Sequence, residues 1–541
     1  MRIIYCFFIL FCSISVFAQS YPDKPKLIVH VVIEQLRYDY ISRFSSSFGR
    51  QGFQKLMQEG TVCTNVHVPF SYAERAPAYA SISTGAHPGE HGIIGNSWYN
   101  RMYKAREQAL QNSSYVCVGC ARSNYYQLAP HQLLVSTFSD ELITSTQGKS
   151  RSFSIGLTPE SAVLMAGKNS NGVYWLDNLS GSWVTSSYYS QTLPVWLESF
   201  NRKKFGDIYL AKEWNTRYPQ SEYTQSLPDN SEFEIGISNQ ITFPYNLSKL
   251  KNKYSPYAIL AQTPYGNTFT KDIALELLEK ERVGKGLHTD YVSISFTALE
   301  EIGNAFGSLS KEVQDCMVRL DFELQFLLQY LERNYGKENF LLIVSSTYGI
   351  ETPVKYGISK QNHGGIFKQV EAMYILQKYL EATYGEGNWV EHSFARQIYL
   401  NRELIAQKNL TLSQIQDEVA LFILQLAGVS SVLTAHAMNT GVFFDETKQR
   451  IAFSYNQKRS GDVYYELLPG WSEQSTDLVA QHISSFTDVT HVPLFWYGWK
   501  AQQQRIHSAI AITDIIPTLS EILGIQRPQM AYGSYIQGIF E

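Results

Sequence analysis

Three short apolar runs constrain the fold of this chain more than any other feature. Leu27–Ile33 is almost continuously apolar and rich in Val and Ile, and Tyr291–Phe296 and Phe340–Val344 are similar in length and character. Such runs are typical of strands in a parallel sheet that helices cover on both faces. Val313–Tyr335 lies between the last two runs and has helical spacing. This order predicts a β-α-β unit, and hence an α/β fold with a mainly parallel sheet.

The length of 541 residues allows either one large domain with a substantial insertion or two domains. Residues 97–285 are rich in Tyr, Ser, Asn and Trp, whereas the predicted strands lie outside them. We therefore expect a core domain formed by residues 19–96 and 286–541. We expect residues 97–285 to form an inserted cap or accessory region over the carboxyl ends of the strands.

The N-terminus has the pattern of a secretory signal peptide in residues 1–18. Arg2 supplies a positive charge, Ile3–Phe11 is an apolar run too short to span a membrane, and Ala18 is a small residue suited to cleavage. We identify no transmembrane segment after it. The pattern predicts an exported protein, periplasmic or otherwise extracytoplasmic, that is soluble once the signal is removed.

Four cysteines follow the signal: Cys63, Cys117, Cys120 and Cys316. Disulfides persist outside the cytoplasm, so we expect the close pair Cys117 and Cys120 to form a loop disulfide or to remain as two free thiols. Half of a structural zinc site is the weaker alternative, because no second Cys pair and no nearby His would complete it.

Six short sequence blocks occur in the order in which one known family has them. They span nearly the whole chain after the signal, and they are Val31–Tyr40, Ser81–Gly85, His91–Tyr99, Gly461–Val463, Thr490–Leu494 and Asp514–Leu519. On these blocks the chain resembles the PafA-type alkaline phosphatases of the type I phosphodiesterase and nucleotide pyrophosphatase family. The resemblance implies phosphoryl transfer at two zinc ions, which Asp and His side chains hold at the carboxyl ends of the strands. It also implies that a threonine hydroxyl is the nucleophile.

The resemblance assigns positions to the metal ligands, and most of them are replaced. Glu34 stands for the first aspartate and is one methylene longer. The other positions are Glu300 and Asn304 for an Asp and a His, Thr347 and Tyr348 for an adjacent Asp-His pair, and His482, which is a retained histidine. An amide oxygen is a poor zinc ligand beside imidazole. We expect these vestigial positions to hold no metal.

The nucleophile and the phosphate contacts are altered as well. Arg75 falls at the position of the nucleophilic threonine, and arginine has no hydroxyl group. Thr158 and Glu160 fall at the positions of a Lys-x-Arg pair, so an anion stands where a phosphoryl group needs a cation. Asn96 retains the asparagine that contacts phosphate. We expect no intact catalytic constellation.

Arg75 suggests what has replaced the metal ions. Its guanidinium could pair with Glu34 and Glu300 and supply the positive charge that zinc would otherwise provide. Without such a partner, two inward carboxylates would repel each other or take up a proton. The alternative is that Arg75 points to solvent and that the pocket has collapsed.

These replacements favour a pseudoenzyme that acts in binding or in envelope assembly, without a cofactor. Its partner would be an envelope protein or a glycan, because the Tyr and Trp side chains of residues 97–285 could bind a sugar or a protein, or could pack an aromatic-rich core. A net charge of -4 argues against nucleic acid. The alternative is an active phosphomonoesterase, phosphodiesterase or sulfatase-like hydrolase with rebuilt ligation of zinc. Fold alone does not decide between them, because function belongs to the site.

Overall fold

The computed structural model describes residues 24–124, 126–473, 479 and 484–540. The predicted signal peptide, residues 1–18, and His482 lie outside these described residues. Within them, no helix combines the length and the apolar character that a membrane span requires.

The strands of the described chain are β1 (Leu27–Ile33), β2 (Thr61–His67), β3 (Ser97–Asn100), β4 (Ala105–Gln108), β5 (Cys117–Val118), β6 (Ser152–Gly156), β7 (Gly172–Leu176), β8 (Trp183–Ser186), β9 (Glu213–Trp214), β10 (Tyr245–Asn246), β11 (Asp290–Phe296), β12 (Phe340–Ser346), β13 (Gly365–Phe367), β14 (Val390–Phe394), β15 (Gln397–Leu400), β16 (Val429–Thr434), β17 (Val463–Leu467), β18 (Trp471–Glu473), β19 (His491–Gly498), β20 (Gln504–Ile506) and β21 (Ile510–Ala511).

The α-helices are α1 (Tyr38–Arg43), α2 (Phe53–Glu59), α3 (Arg75–Thr84), α4 (Pro88–His91), α5 (Phe138–Ser145), α6 (Pro159–Ala166), α7 (Val195–Arg202), α8 (Phe205–Leu210), α9 (Leu247–Leu250), α10 (Tyr265–Lys280), α11 (Ala298–Phe306), α12 (Lys311–Tyr335), α13 (Val354–Ser359), α14 (Gln369–Tyr384), α15 (Arg402–Gln407), α16 (Leu412–Leu424), α17 (Ala435–Thr440), α18 (Glu446–Ser454), α19 (Thr487–Thr490) and α20 (Ile515–Leu523).

An eleven-stranded sheet forms the centre of the molecule, in the order β20-β2-β19-β12-β1-β11-β6-β7-β8-β5, with β21 also paired to β2. Strand β1 pairs in parallel with β11 on one side and with β12 on the other. The parallel region continues from β11 to β6 and β7, whereas β19 runs antiparallel to both of its neighbours. The predicted mainly parallel sheet is confirmed.

Helices cover both faces of this sheet. Alternate residues of each strand point to opposite faces, so each face of a buried strand packs against a different set of helices. In β1, Leu27, Val29 and Val31 pack with the helices α1, α2, α10, α11 and α12. Ile28 and Val32 pack on the other face with α3, α5, α6 and α20. All seven residues of β1 are buried, which accounts for the continuous apolar run in the sequence.

The segment 97–285 differs from the cap that the sequence predicts. It contributes β5, β6, β7 and β8 to the central sheet, and β6 pairs directly with the core strand β11. We did not predict β6 from the sequence, because Ser152 and Ser154 interrupt its apolar run. These serines are buried in hydrogen-bonded pairs, such as Ser154 with Ser293 at 2.7 Å. Residues 97–285 therefore extend the central sheet through these strands, and the division into a core domain and an inserted cap stays a prediction.

A second, smaller sheet forms between residues 390 and 467, in the order β14-β15-β17-β16. Its apolar core, which includes Leu376, Trp389 and Ile398, is distinct from the core of the large sheet. Buried Asp462 joins the two parts. It pairs with Arg402 at 2.7 Å and with Arg101, in the turn of the β3–β4 hairpin, at 3.0 Å. We did not predict this insert from the sequence.

Cys117 and Cys120 form a disulfide, so the first of the two favoured alternatives is the one present. Cys63 and Cys316 are free and buried. The disulfide closes a short loop that includes β5, at the edge of the central sheet.

A fully buried histidine lies inside β1. The Nε2 atom of His30 is 2.8 Å from Ser345 Oγ, and Nδ1 is 3.2 Å from Tyr291 Oη. Burial lowers the pKa of His30 from 6.5 to about 3. The folded state therefore holds this ring neutral at a pH where the unfolded chain would protonate it.

We expect His30→Gln to flatten the acid dependence of stability. Because the pKa of His30 is depressed, its contribution is complete above pH 6.5 and declines as the pH falls toward about 3. The decline is about 1.4 kcal/mol per pH unit for one proton. Urea unfolding at pH values from 7.5 to about 4.5 measures the slope. The control is His363→Gln, at an exposed position, which should leave the slope unchanged; equal slopes for His30→Gln and the parent would contradict the argument.

Candidate functional site at the carboxyl ends of the parallel strands

The site residues come from loops and helices that follow neighbouring parallel strands. Glu34 follows β1, Glu300 and Glu301 lie in the first turn of α11 after β11, and Thr347 follows β12. The carboxyl ends of parallel strands lie along one edge of a sheet, so these side chains are brought together there. Arg75 is the first residue of α3, which packs on this part of the sheet.

Arg75 makes ion pairs with three glutamates. Its Nε atom is 3.0 Å from Glu34 Oε1, and its Nη2 atom is 2.9 Å from Glu301 Oε1 and 3.4 Å from Glu300 Oε1. The Arg75 side chain is 14% exposed, and that of Glu34 is fully buried. The predicted pairing with Glu34 and Glu300 is confirmed, and the alternative in which Arg75 points to solvent is wrong.

Glu301 is a partner that the sequence analysis missed. It approaches Arg75 more closely than Glu300 does, and it is more exposed. Two adjacent glutamates at the start of a helix were the available signal, but the sequence does not show that both side chains reach the same cation.

Glu300 is also bound from the other side. The hydroxyl group of Tyr348 donates to Glu300 Oε2 at 2.8 Å, and both residues are buried. Burial raises the pKa of Tyr348 well above its ordinary value, and the charge of Glu300 raises it further. The phenol therefore stays protonated and remains a hydrogen-bond donor to the carboxylate.

Thr347 and Asn304 are held by one residue, Gln35. The backbone N–H of Gln35 donates to Thr347 Oγ1 at 3.3 Å, and its side-chain amide donates to Asn304 Oδ1 at 3.0 Å. Gln35 has a φ of 59°, a left-handed conformation that is uncommon outside glycine. Its side chain passes so close to Gly303 that a Cβ atom there would lie 2.2 Å from Gln35 Oε1. Gln35 is a second site residue that the sequence analysis did not identify.

The electrostatics of the cluster depend on the balance between burial and Arg75. Burial raises the pKa of Glu34 well above its ordinary value; the positive charge of Arg75 opposes this shift, and the negative charge of Glu300 adds to it. Burial alone would lower the pKa of Arg75, but Glu300, Glu34 and Glu301 together raise it well above its ordinary value. Arg75 is therefore a permanent cation, and Glu34 is the carboxyl group of the cluster whose pKa burial raises.

A cavity of about 470 Å³ opens beside Arg75 and Glu301, and Asn96, Thr158 and Glu160 also line it. Asn96 Oδ1 accepts a hydrogen bond from the backbone N–H of Ala76 at 2.9 Å, in the first turn of α3. Thr158 caps α6, and Glu160 lies in the first turn of that helix. The structure thus brings the predicted nucleophile position and the three predicted phosphate-contact positions to one cavity. Four of the predicted metal-ligand positions are buried behind it: Glu34, Glu300, Thr347 and Tyr348.

The described part of the chain contains no group of three or more His, Cys, Asp or Glu side chains placed to hold a metal ion. His482, which the sequence analysis assigns to a retained ligand, lies outside the residues that the structure describes. The roles assigned to the individual positions stay predictions.

Residues 28–485 match the sequence profile of the family described as type I phosphodiesterase / nucleotide pyrophosphatase. Alkaline phosphatase PhoV of Synechococcus elongatus is 30% identical over 97% of this chain and 95% of its own. Alkaline phosphatase PafA of Elizabethkingia meningoseptica is 30% identical over 95% of this chain and 94% of its own. A Myroides odoratus protein named calcium-transporting ATPase is 31% identical over 99% of this chain and 98% of its own.

The crystal structure of wild-type alkaline phosphatase PafA has a TM-score of 0.90 to this chain at 30% identity, covering 96% of this chain and 99% of that one. A PafA variant with the same TM-score carries replacements of a threonine, an asparagine, a lysine and an arginine, separated in turn by 21, 62 and 2 residues. The match of the family profile, the identity over nearly the full length and the shared fold lead to one conclusion. The chain belongs to the type I phosphodiesterase / nucleotide pyrophosphatase family and has the fold of its alkaline phosphatases.

Proposed function

We propose that this chain is a pseudoenzyme: a binding protein that uses the fold of an alkaline phosphatase without metal-dependent phosphoryl transfer. The observation that carries the proposal is the position of Arg75, whose guanidinium is bonded to Glu34 and Glu301 and lies within ion-pair distance of Glu300. A fixed cation in this position pairs with the carboxylates that a metal ion would otherwise need as ligands.

The spacing of four residues supports the assignment of Arg75 to the nucleophile position. The threonine, asparagine, lysine and arginine replaced in the PafA variant are separated by 21, 62 and 2 residues. Arg75, Asn96, Thr158 and Glu160 have the same separations in this chain. By this correspondence a hydroxyl group has become a guanidinium, one cation has become a neutral hydroxyl and another has become a carboxylate. Each change removes a feature on which phosphoryl transfer depends.

The donor set does not fit a pair of zinc ions. Zinc takes imidazole, thiolate and carboxylate ligands, whereas Thr347 and Asn304 offer a hydroxyl and an amide, both hydrogen-bonded to Gln35. Glu300 is bonded to Tyr348 as well as lying beside Arg75. A metal ion would have to displace the guanidinium and compete with these bonds, so the residues present do not fit zinc.

We propose that the protein acts outside the cytoplasm, at the cell envelope. The apolar N-terminal run with Arg2 before it and Ala18 after it supports export. The disulfide between Cys117 and Cys120 also supports this compartment, because such bonds persist where the environment is oxidising.

We expect the purified protein to bind less than stoichiometric zinc and to hydrolyse neither an aryl phosphate monoester nor a diester above background. Elemental analysis after incubation with zinc and a chromogenic assay measure these quantities, with alkaline phosphatase PafA as the positive control. An Arg75→Thr variant should stay inactive, because restoring the hydroxyl does not restore the ligands. Stoichiometric zinc, with turnover that is lost in Glu34→Ala or His482→Ala, would instead establish the hydrolase.

We expect Arg75→Met to destabilise the fold by about 3 kcal/mol near pH 8, because removing one partner of a buried ion pair leaves the other charges unpaired. Without the charge of Arg75, which lowers the pKa of Glu34, that pKa lies further above its value in the unfolded chain. The folded variant therefore binds more protons than the unfolded chain, and its stability falls as the pH rises. The loss should therefore be smaller at pH 5 than at pH 8. Urea unfolding at the two pH values measures it.

Two further variants test the cause of this loss. Arg527→Met removes an ion pair with Glu521 at 3.6 Å in which both side chains are largely exposed, and it should change stability by less than about 0.5 kcal/mol. Arg75→Met combined with Glu34→Gln should recover part of the loss, since it removes a buried acid together with its partner. A loss in Arg75→Met that is independent of pH would contradict the ion-pair interpretation.

A further inference from the structure

The cavity beside Arg75 is lined by an unusual number of carboxamide side chains. We name it the amide cavity, because six of them lie there together with Asn96. These are Gln108, Gln111, Asn124, Gln127, Asn178 and Gln262. Among the described residues, none of the six side chains has a hydrogen-bond partner, unlike the Asn96 side chain. The walls of one cavity thus carry a set of uncommitted donors and acceptors.

The amide cavity is built by elements that the sheet brings together. Gln108 ends the β3–β4 hairpin, Asn178 follows β7, and Gln262 precedes α10. The cavity lies at the carboxyl ends of β6 and β7, which are parallel neighbours in the central sheet. Crevices at this end of parallel sheets are the usual ligand sites of α/β folds. Its volume of about 470 Å³ is within the range of small-molecule sites.

The chemistry of the lining selects for hydroxyl groups. A carboxamide offers an acceptor oxygen and a donor NH₂ group without net charge, and a hydroxyl group both donates and accepts. Glu160 and Glu301 add acceptors to the same cavity, and they oppose the entry of anions. The half-buried Tyr126 adds an aromatic side chain to the wall, of a kind that packs against the apolar face of a ring while its polar end stays hydrogen-bonded.

We infer that the amide cavity binds a neutral oligosaccharide. This inference rests on the proposed function, because it assigns to a binding protein the class of ligand for its cleft. Phosphate esters are disfavoured because the guanidinium of Arg75 is already paired with carboxylates, and because Glu160 and Glu301 face the same space. A neutral polyhydroxyl ligand meets no such repulsion and can use the uncommitted amides.

Isothermal titration calorimetry with a small set of defined probes tests the inference. The neutral probes are chitotetraose, cellotetraose and maltotetraose; the comparison probes are tetragalacturonate, which is an anionic sugar, and tetraalanine, which is a peptide. We expect saturable binding of at least one neutral tetrasaccharide and weaker or no binding of the other two classes. Failure of all three neutral probes, or tighter binding of the anionic sugar or the peptide, would overturn the inference.

Variants locate the binding in the amide cavity. The double variant Gln127→Ala, Asn178→Ala should weaken the binding of the neutral sugar about tenfold or more, since it removes two hydrogen-bonding groups. The control Gln58→Ala changes an exposed glutamine on α2, which packs against β2 and β19 rather than near β6 and β7. It should leave the dissociation constant unchanged. Unaltered binding in the double variant would place the sugar elsewhere and reject the assignment.

The calorimetry tests this inference independently of the zinc and turnover measurements that test the proposed function. A protein without zinc or turnover that binds none of the neutral sugars keeps the proposed function and loses only this inference. A zinc-dependent hydrolase whose neutral-sugar binding depends on Gln127 and Asn178 keeps the inference and loses the proposed function.

Discussion

The ion pairs of Arg75 are the interaction on which the rest of the site depends. Two segments that follow parallel strands, one after β1 and one at the start of α11, bring three glutamates to one place, and without a cation their charges could not remain there together. The guanidinium lies 3.0 Å from Glu34 and 2.9 Å from Glu301. It is held by the first turn of α3, so the cation is part of the chain and its position is set when the helix packs on the sheet.

A covalently attached cation changes the chemistry that such a site can support. A zinc ion polarises a bound oxygen and can accept or release ligands during a reaction, whereas a guanidinium only donates hydrogen bonds and keeps its proton. Tyr348 and Gln35 reinforce the same state, because they occupy Glu300, Thr347 and Asn304 with hydrogen bonds. The buried layer of the site is thus extensively hydrogen-bonded, although Glu34 Oε2 and Gln35 Oε1 have no hydrogen-bond partner among the described residues. The uncommitted amides lie in front of this layer, in the amide cavity.

The sequence predicted strand β1 correctly, because all of its residues are buried and form one apolar run. It also predicted the ion pairs of Arg75 with Glu34 and Glu300, because the fold assigns all three residues to one site. The sequence did not predict strand β6, because the strand contains buried serines whose hydrogen-bond partners lie far away in the sequence. The role of Glu301 depends on the rotation of α11, and the amide cavity is lined by residues from eight separate segments of the chain. No local pattern encodes either of these.

The carboxylate of Asp462 connects the small sheet to the hairpin that forms one wall of the amide cavity. Arg101, one of its partners, lies in the turn of the hairpin whose second strand ends at Gln108, a residue of the cavity wall. The other partner, Arg402, belongs to the insert that carries the small sheet. The two ion pairs of Asp462 therefore fix the position of the β3–β4 hairpin, and with it one wall of the cavity, relative to the small sheet.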